Sequence, residues 1–344
     1  MRVNDVVPKT VRIAAVCALF GLCLIVGTIV SGMDRVAQQP IPSRSASAGV
    51  AIEQQSAPVS APQRLLIPLL IYCICAGLVA SLLILRSRWH GWILAGGIFT
   101  GIYGISCVVN AIEGAALLSA KTPPGIWLAL LLQGAISTAL FAPLAVLVLG
   151  RWRSQALAIA SPAWPKLSSV LWRVAVIVLA FVFFYMFFGY YVAWQNPAVR
   201  LYYGGPEYAT FYAALRANWL HARWIYPLAA FRALLFVVFL YPLVRMFRGK
   251  RWQIAGAMSL FVAAWTTGLL LPNPLMPPSV AHTHFIETLG FGLVMGALIG
   301  ELLAMPPVGG EHFSSSSGKP PSASGSESRF RHERPEDLSL GRSM

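Results

Sequence analysis

Three titratable side chains lie at the start of a stretch that is otherwise apolar and rich in glycine. His282, His284 and Glu287 occur in the sequence AHTHFIETLGFGLVMGALIG, which covers residues 281–300. Histidine and glutamate can exchange protons near neutral pH, and both can bind a metal ion. His284 and Glu287 are three residues apart, so on a helix they share one face and can pair. The pair is therefore a candidate site of proton exchange.

The two histidines do not match the usual helical metal-binding motif. Two histidines that bind zinc from one helix are a full turn apart, as in His-Glu-x-x-His. His282 and His284 point about 200° away from one another on a continuous helix. A metal site would need an unwound first turn, with His221 from the preceding loop as a third ligand. This weak alternative, a metal-dependent intramembrane enzyme, stays open, and the sequence otherwise predicts no metal and no cofactor.

The composition places these side chains in a membrane protein. Of the 344 residues, 57% are hydrophobic and only 11% are charged, whereas soluble domains carry about 25% charged residues. A membrane-spanning helix needs about 20 mainly apolar residues. Eight segments meet this requirement: 11–33, 65–86, 91–119, 125–149, 168–194, 224–247, 252–272 and 280–303. We therefore predict an all-α, polytopic transmembrane helix bundle of about eight spans in a lipid bilayer.

The net charge of +14 indicates an orientation in the membrane rather than binding to nucleic acid. If the N-terminus lies in the cytoplasm and each span reverses direction, 18 of the 26 Lys and Arg residues lie inside and seven lie outside. An excess of positive charge in the short inside loops is the usual orientation signal of membrane proteins. We predict that both termini are cytoplasmic and that nucleic acid is no partner.

The segments between the spans complete the predicted domain organisation. The segments are an N-terminal anchor span at 1–33, a flexible outside loop at 34–64, spans 2–4 at 65–149, an inside loop at 150–167, spans 5–8 at 168–304 and a disordered inside tail at 305–344. The loop and the tail are rich in small polar residues and proline, which is typical of flexible segments. Between spans 5 and 6, aromatic residues and Pro206 predict an interfacial helix at 206–220.

The two halves of the chain resemble one another. Matched positions occur in the same order in both halves: Arg64 with Arg223, Pro68 with Pro227, Arg86 with Arg245, and Trp92 with Trp252. Four spans per half would give two repeats of the same orientation, related by an axis along the membrane normal. The sequence therefore predicts a 4+4 parallel pseudo-repeat.

Polar side chains from four spans are predicted to lie at one depth. With a rise of 1.5 Å per residue, Glu113, Arg232, Glu287 and Gln133 lie roughly 10–13 Å below the outer surface. Ionisable groups in a span cost about 2.5–3.5 kcal/mol at its centre, so they normally face protein or water. Asn110 precedes Glu113 by three residues and shares its helix face. The candidate ligand or proton site therefore consists of Asn110, Glu113, Gln133, Arg232, His284 and Glu287.

Three functional hypotheses follow from this polar layer. In the first, it lines an outward-facing pocket that binds or transports a small polar or lipid-derived solute with a proton. Arg232 would then meet an anionic group, Glu287 or Glu113 would exchange the proton, and the 206–220 helix would cover the mouth. In the second, it is a structural clasp in a non-catalytic subunit or scaffold that receives a membrane protein partner. The third is the metal-dependent enzyme, although no catalytic motif is present, which favours a non-enzymatic function.

Short motifs in the second half resemble a group of bacterial membrane proteins. The motifs are Pro-Asn-Pro-x-x-Pro-Pro at 272–278, His-Phe-Ile-Glu at 284–287 and Asn-Pro-x-x-Arg at 196–200. With these motifs the chain resembles uncharacterised bacterial polytopic inner-membrane proteins, to which no activity is assigned. The resemblance implies the bacterial cytoplasmic membrane and assigns no role to any residue.

Overall fold

The computed structural model of the protein describes residues 7–39, 62–153, 167–272 and 275–305. In these residues the regular structure is helical, apart from one isolated β-bridge. The helices are α1 (Lys9–Ser31), α2 (Met33–Ala37), α3 (Pro62–Leu85), α4 (Gly91–Tyr103), α5 (Val109–Leu118), α6 (Ile126–Val148), α7 (Leu167–Phe188), α8 (Pro197–Tyr203), α9 (Phe211–His221), α10 (Ile225–Met246), α11 (Arg251–Thr266) and α12 (Pro278–Leu303). The predicted all-α bundle is confirmed.

Eight helical segments of the described chain are long and apolar enough to cross a bilayer. Five are the single helices α1, α3, α6, α10 and α12, and three are composite. The third span continues from α4 through a π-helical turn at Gly104–Val108 into α5, and the fifth ends in a π-helical turn at Gly189–Ala193. The seventh continues from α11 into a 3₁₀ turn at Thr267–Leu270. The number of spans agrees with the prediction, because hydropathy over about 20 residues is a local property of the sequence.

Several predicted segments lie outside the described residues. Most of the outside loop predicted at 34–64 does, as do most of the inside loop at 150–167 and all but the first residue of the tail at 305–344.

The helix between spans 5 and 6 begins later than predicted. Pro206 lies in a non-helical segment, and α9 covers Phe211–His221 rather than 206–220. Thr210 sets this start, because its hydroxyl accepts a hydrogen bond from the amide of Ala213 at 3.1 Å. An N-cap hydroxyl of this kind satisfies an amide that the first helical turn leaves unpaired.

The two halves pack in the same pattern. In the first half α1 contacts α3 and α6, and α4 contacts α6. In the second half α7 contacts α10 and α12, and α11 contacts α12. Between the halves, α3 contacts α11 and α4 contacts α10, which are equivalent pairs under the predicted repeat. The packing supports two four-span repeats.

A backbone bridge joins equivalent loops of the two halves. Ser87, which follows α3, pairs in antiparallel fashion with Phe247, which follows α10. The amides of Arg88 and Arg248 each donate to the carbonyl two residues before the other, at 2.7 Å in both cases. The partners are as far apart in sequence as the matched tryptophans that begin the third and seventh spans. This symmetric bridge is the geometry expected where an axis along the membrane normal relates the two halves.

Aromatic packing fixes the helices that carry the candidate site. Phe181 of α7 packs edge-to-face against Phe236 of α10 and Phe291 of α12, with ring centroids 5.1 and 4.8 Å away. Edge-to-face pairs contribute about 0.5–1.5 kcal/mol beyond the buried area. The three helices are therefore held in one arrangement beside the polar side chains.

Candidate functional site

Three helices meet at a buried ion pair. Arg232 of α10 forms a salt bridge to Glu113 of α5 through Nη1 and Oε1, and these side chains are 7% and 24% exposed. Tyr185 of α7 donates its hydroxyl to the same Oε1 at 2.9 Å. The Arg232 guanidinium also lies over the Tyr185 ring, 5.3 Å from its centroid. The Arg232 guanidinium thus pairs with a carboxyl group that also accepts a hydrogen bond from Tyr185.

A π-helical turn precedes Glu113 in the third span. A side chain at Gly104, where this turn begins, would place its Cβ 2.1 Å from the Phe239 ring of α10. Only glycine therefore allows the two spans to approach this closely here. A π-helical turn changes which face of the following helix meets its neighbour, and such turns are frequent at functional sites.

A second pair of titratable groups lies within α12. Nδ1 of His284 is 2.6 Å from Oε2 of Glu287, and the two side chains are 17% and 14% exposed. Nε2 of His284 is 3.1 Å from the hydroxyl of Tyr203 in α8. A neutral imidazole would donate from Nδ1 to the carboxylate and accept from Tyr203 at Nε2, whereas a protonated imidazole would donate from both nitrogens. The predicted pairing of His284 with Glu287 is therefore present in the structure.

Tyr203 brings the two pairs into one electrostatic unit. Burial raises the pKa of the Tyr203 hydroxyl, and the charge of Glu113, the neighbouring Tyr202 and the charge of Glu287 raise it further. Both carboxylates therefore act on a single hydroxyl, which stays protonated at neutral pH. Glu113 also interacts electrostatically with His284. We call this set the outer polar cluster, after the end of the bundle that the sequence predicts to face outside; its members are Glu113, Tyr185, Tyr203, Arg232, His284 and Glu287.

The short helix α8 covers the outer polar cluster. At its start, Asn196 caps the helix and donates from Nδ2 to the Thr283 hydroxyl of α12 at 2.6 Å. At its end, Tyr203 contacts His284. Lys121, at the end of the third span, donates to the carbonyl of Tyr202. Three contacts thus tie α8 to two spans, so α8, and not the predicted 206–220 helix, lies against the cluster.

The structure does not bring Gln133 and Asn110 to this cluster. Gln133 donates from Nε2 to the Thr28 hydroxyl of α1 at 2.6 Å, and its described contacts do not include a cluster residue. Asn110 is exposed, and its amide donates to the Ser106 carbonyl of its own span at 2.9 Å. Both residues lie on the helices where the sequence places them, but they face other directions.

The histidines proposed as a metal site lie apart. His282 and His221 are exposed, whereas His284 is half-buried and engaged with Glu287 and Tyr203. Across the described ranges, no three His, Cys, Asp or Glu side chains are grouped in a way that could hold a metal ion. The continuous α12 helix keeps His282 and His284 on different faces, as their spacing requires.

Two apolar grooves open on other faces of the bundle. One, of about 770 Å³, lies between α1 and α3 and is lined by residues such as Cys17, Gly21 and Cys73. The other, of about 500 Å³, lies between α7, α9 and α10, beside Met186 and Phe211. Neither groove is lined by a member of the outer polar cluster.

Four residues important for this site were not predicted from the sequence: Lys121, Tyr185, Asn196 and Tyr203. Tyr185 carries the only hydroxyl in the aromatic run FVFFYMFF at 181–188, and that feature is a usable signal. Tyr203 lies among several tyrosines between spans 5 and 6, and nothing local distinguishes it from the others. Its role depends on a contact with α12 far along the chain.

Comparisons with known proteins assign no function to this site. The chain matches no protein-family model, no curated protein and no solved structure. The resemblance to bacterial inner-membrane proteins therefore stays a prediction. The structure itself shows a multi-pass helical membrane protein with a cluster of charged and titratable groups between its spans.

Proposed function

We propose that the outer polar cluster binds a small polar or lipid-derived solute under the control of one proton, in a protein of the bacterial cytoplasmic membrane with both termini inside. One observation carries this proposal. The pair of His284 and Glu287 belongs to a single helix, so it cannot hold two spans together. Titratable groups inside a span are costly, and in membrane proteins they usually mark solute or proton pathways.

The other pair supplies a fixed positive group beside this proton site. The Glu113 carboxylate accepts hydrogen bonds from Arg232 and Tyr185, but Nε of Arg232 is buried without an acceptor among the described residues. A guanidinium has five N–H donors, so Arg232 can serve Glu113 and an anionic or polar group of a solute at once. Such charge-assisted hydrogen bonds are about twice as strong as neutral ones.

Proton binding would change the hold of α8 on the cluster. A neutral His284 accepts the hydroxyl hydrogen of Tyr203 at Nε2, while Nδ1–H faces Glu287. A proton added at Nε2 turns this nitrogen into a donor, so Tyr203 can no longer donate to it. If the bond were reversed, the hydroxyl hydrogen of Tyr203 would have no acceptor among the described residues, so the added proton weakens the hold of α8 on α12. Proton uptake therefore favours opening of the cover, and proton release favours its closure.

Infrared difference spectroscopy of the full chain in lipid nanodiscs tests the proton step. Between pH 8 and pH 5, roughly, we expect imidazole or carboxyl bands that disappear in both His284→Asn and Glu287→Gln. Glu301→Gln provides the matched control, because Glu301 is paired at the other end of α12. If the bands are absent from the wild type, or persist in both variants, the proposed proton site is wrong.

The Arg232–Glu113–Tyr185 contacts favour a second candidate, a structural clasp in a scaffold subunit. They join α5, α7 and α10, which is what a clasp requires. Thermal unfolding separates the two candidates. If Glu287→Gln lowers the unfolding temperature and leaves the infrared difference spectrum unchanged, the clasp is the better account of the whole cluster.

A further inference from the structure

We propose that the opposite end of the bundle, predicted to face the cytoplasm, carries a binding site for the phosphate of an anionic phospholipid headgroup. The site consists of Arg88, Arg151 and Arg248, with His90 beside them. It is separate from the outer polar cluster, and it does not depend on the function proposed for that cluster.

Three loops hold the arginines together through hydrogen bonds to backbone atoms. Nη2 of Arg88 donates to the carbonyl of Phe247 at 3.0 Å, across the bridge between the two halves. The guanidinium of Arg151 donates to the carbonyl of Ser87. The amide of Gly91 donates to the carbonyl of Arg151 at 3.0 Å. The φ angle of Gly91 is 55°, a left-handed conformation that favours glycine. The arginines therefore come from fixed loops and not from independent flexible segments.

The positive charge of this group is not neutralised within the described chain. The ion pairs between its described residues include none of the three arginines. Glu301 is the only described carboxylate near this end, and it pairs with Arg251. Burial lowers the pKa of Arg88 and Arg151, and nearby guanidinium groups, including that of Arg248, lower it further. A bound anion would relieve this repulsion.

Free donors point to an anion with several oxygens. The Nε atoms of Arg88 and Arg151 are buried and have no acceptor in the part of the chain that the structure describes. The Arg248 side chain is exposed, and its described contacts leave its guanidinium free to move onto a ligand. A guanidinium binds phosphate with two parallel hydrogen bonds, and this planar fit is the reason arginine is common in phosphate sites.

Tryptophans on both sides place the site at the level of lipid headgroups. Trp92 and Trp252 begin the matched third and seventh spans, and they are 71% and 67% exposed. Trp92 packs edge-to-face against Trp152, which directly follows Arg151. Exposed tryptophans concentrate at the membrane–water interface. Basic groups between spans at this level bind anionic headgroups, so a lipid fits better than a soluble phosphate.

Binding of short-chain phosphatidylglycerol to the purified full chain in neutral detergent tests this site. We expect the wild type to prefer it over phosphatidylcholine of the same chain length. Arg248→Gln should weaken phosphatidylglycerol binding about five-fold, the effect of one basic residue near an anionic lipid. Arg153→Gln is the matched control, because Arg153 is also exposed and basic but lies outside the group. The Arg248 side chain makes no described hydrogen bond, so the variant should fold, which its circular dichroism spectrum checks.

Three outcomes would overturn the proposal. The two lipids could bind equally, or Arg248→Gln could behave like Arg153→Gln, and in either case the arginine group is not the site. If inorganic phosphate at the same concentration displaces the lipid, the site takes soluble anions and the lipid assignment is wrong. An Arg151→Lys variant sharpens the result: it keeps the charge, so binding that drops as in Arg248→Gln shows that the planar guanidinium is needed.

Discussion

Gln133 and Glu287 lie ten residues after the first proline of matching Pro-Pro pairs, so they occupy equivalent positions in the two halves, but they are chemically different. In the first half, Gln133 of α6 faces α1 and donates to the Thr28 hydroxyl at 2.6 Å. In the second half, Glu287 of α12 faces the end of the fifth span, where a Cβ at Gly189 would lie 3.7 Å from its Oε1. The neutral amide forms one hydrogen bond between spans, whereas the carboxylate pairs with His284 of its own helix. The first contact joins spans, and the second keeps a titratable group between them.

This difference suggests that the two halves have different roles: one joins spans, and the other holds a titratable group. At Gln133 the first half uses a neutral hydrogen bond between spans, which does not respond to pH. The second half contains ionisable groups inside its spans. Their insertion costs free energy, and membrane proteins retain such groups chiefly where they act on a solute or a proton. Glu113 is the exception in the first half, and its partner Arg232 comes from the second half.

The largest expected effect is loss of the ion pair that joins the halves. Glu113→Gln leaves Arg232 buried without a counter-charge, so we expect the chain to lose about 3 kcal/mol of stability. Glu301→Gln is the control, because its pair with Arg251 is largely exposed and should contribute less than about 1 kcal/mol. Chemical denaturation in mixed micelles measures both. Equal effects of the two changes would show that the buried pair is not special.

The second test compares the helix contacts of the two halves. A Cβ at Gly27 would lie 2.0 Å from the Ser137 hydroxyl and 2.8 Å from the backbone oxygen of Gln133. Gly27→Ala should therefore push α1 from α6 and cost about 1–3 kcal/mol. Gly189→Ala should be nearly neutral, because its Cβ makes an ordinary contact with Glu287. Thermal unfolding of both variants provides the measurement, and similar losses would contradict the difference in packing.

The third test removes one hydroxyl from each half. Tyr203→Phe and Thr28→Val should each lose about 1 kcal/mol, the usual contribution of one hydrogen bond. Only Tyr203→Phe should also change the response of the protein to pH, because Tyr203 bonds to His284 while Thr28 bonds to a neutral amide. Unfolding midpoints measured across a range of pH provide the check. If Thr28→Val changes the pH dependence of stability as much as Tyr203→Phe does, the two contacts do not differ in their response to protons.

The smallest effect concerns the loops at the opposite end of the bundle from the outer polar cluster. There His90 matches Lys250 of the other half as the N-cap of a span. Burial lowers the pKa of His90, and Arg151 and Arg248 lower it further. The folded state then binds fewer protons than the unfolded state, so stability declines as pH falls below about 6.5. His90→Gln should flatten this part of the stability curve slightly. Added phosphatidylglycerol should also flatten it, since a bound anion favours protonated His90.

The sequence was sufficient to predict the spans, but it did not predict the directions in which the polar side chains face. Glu113, Arg232 and Glu287 were predicted at a common depth, and all three belong to the outer polar cluster, because depth follows from helical rise alone. The direction in which Gln133 and Asn110 face depends on packing and on a π-helical turn, which local patterns do not specify. The start of α9 and the contacts of α8 likewise depend on capping and on residues of distant spans.

Hydrogen exchange of the α8 peptide, followed by mass spectrometry across pH and corrected for intrinsic rates, tests the central claim most directly. The account predicts that α8 is protected at pH 8, roughly, and loses protection as the pH falls. Glu287→Gln and His284→Asn should abolish this dependence, while Gln133→Ala should keep it. Protection of α8 that is the same at all pH values in the wild type, or that changes equally in Glu287→Gln, would contradict proton control of the cover.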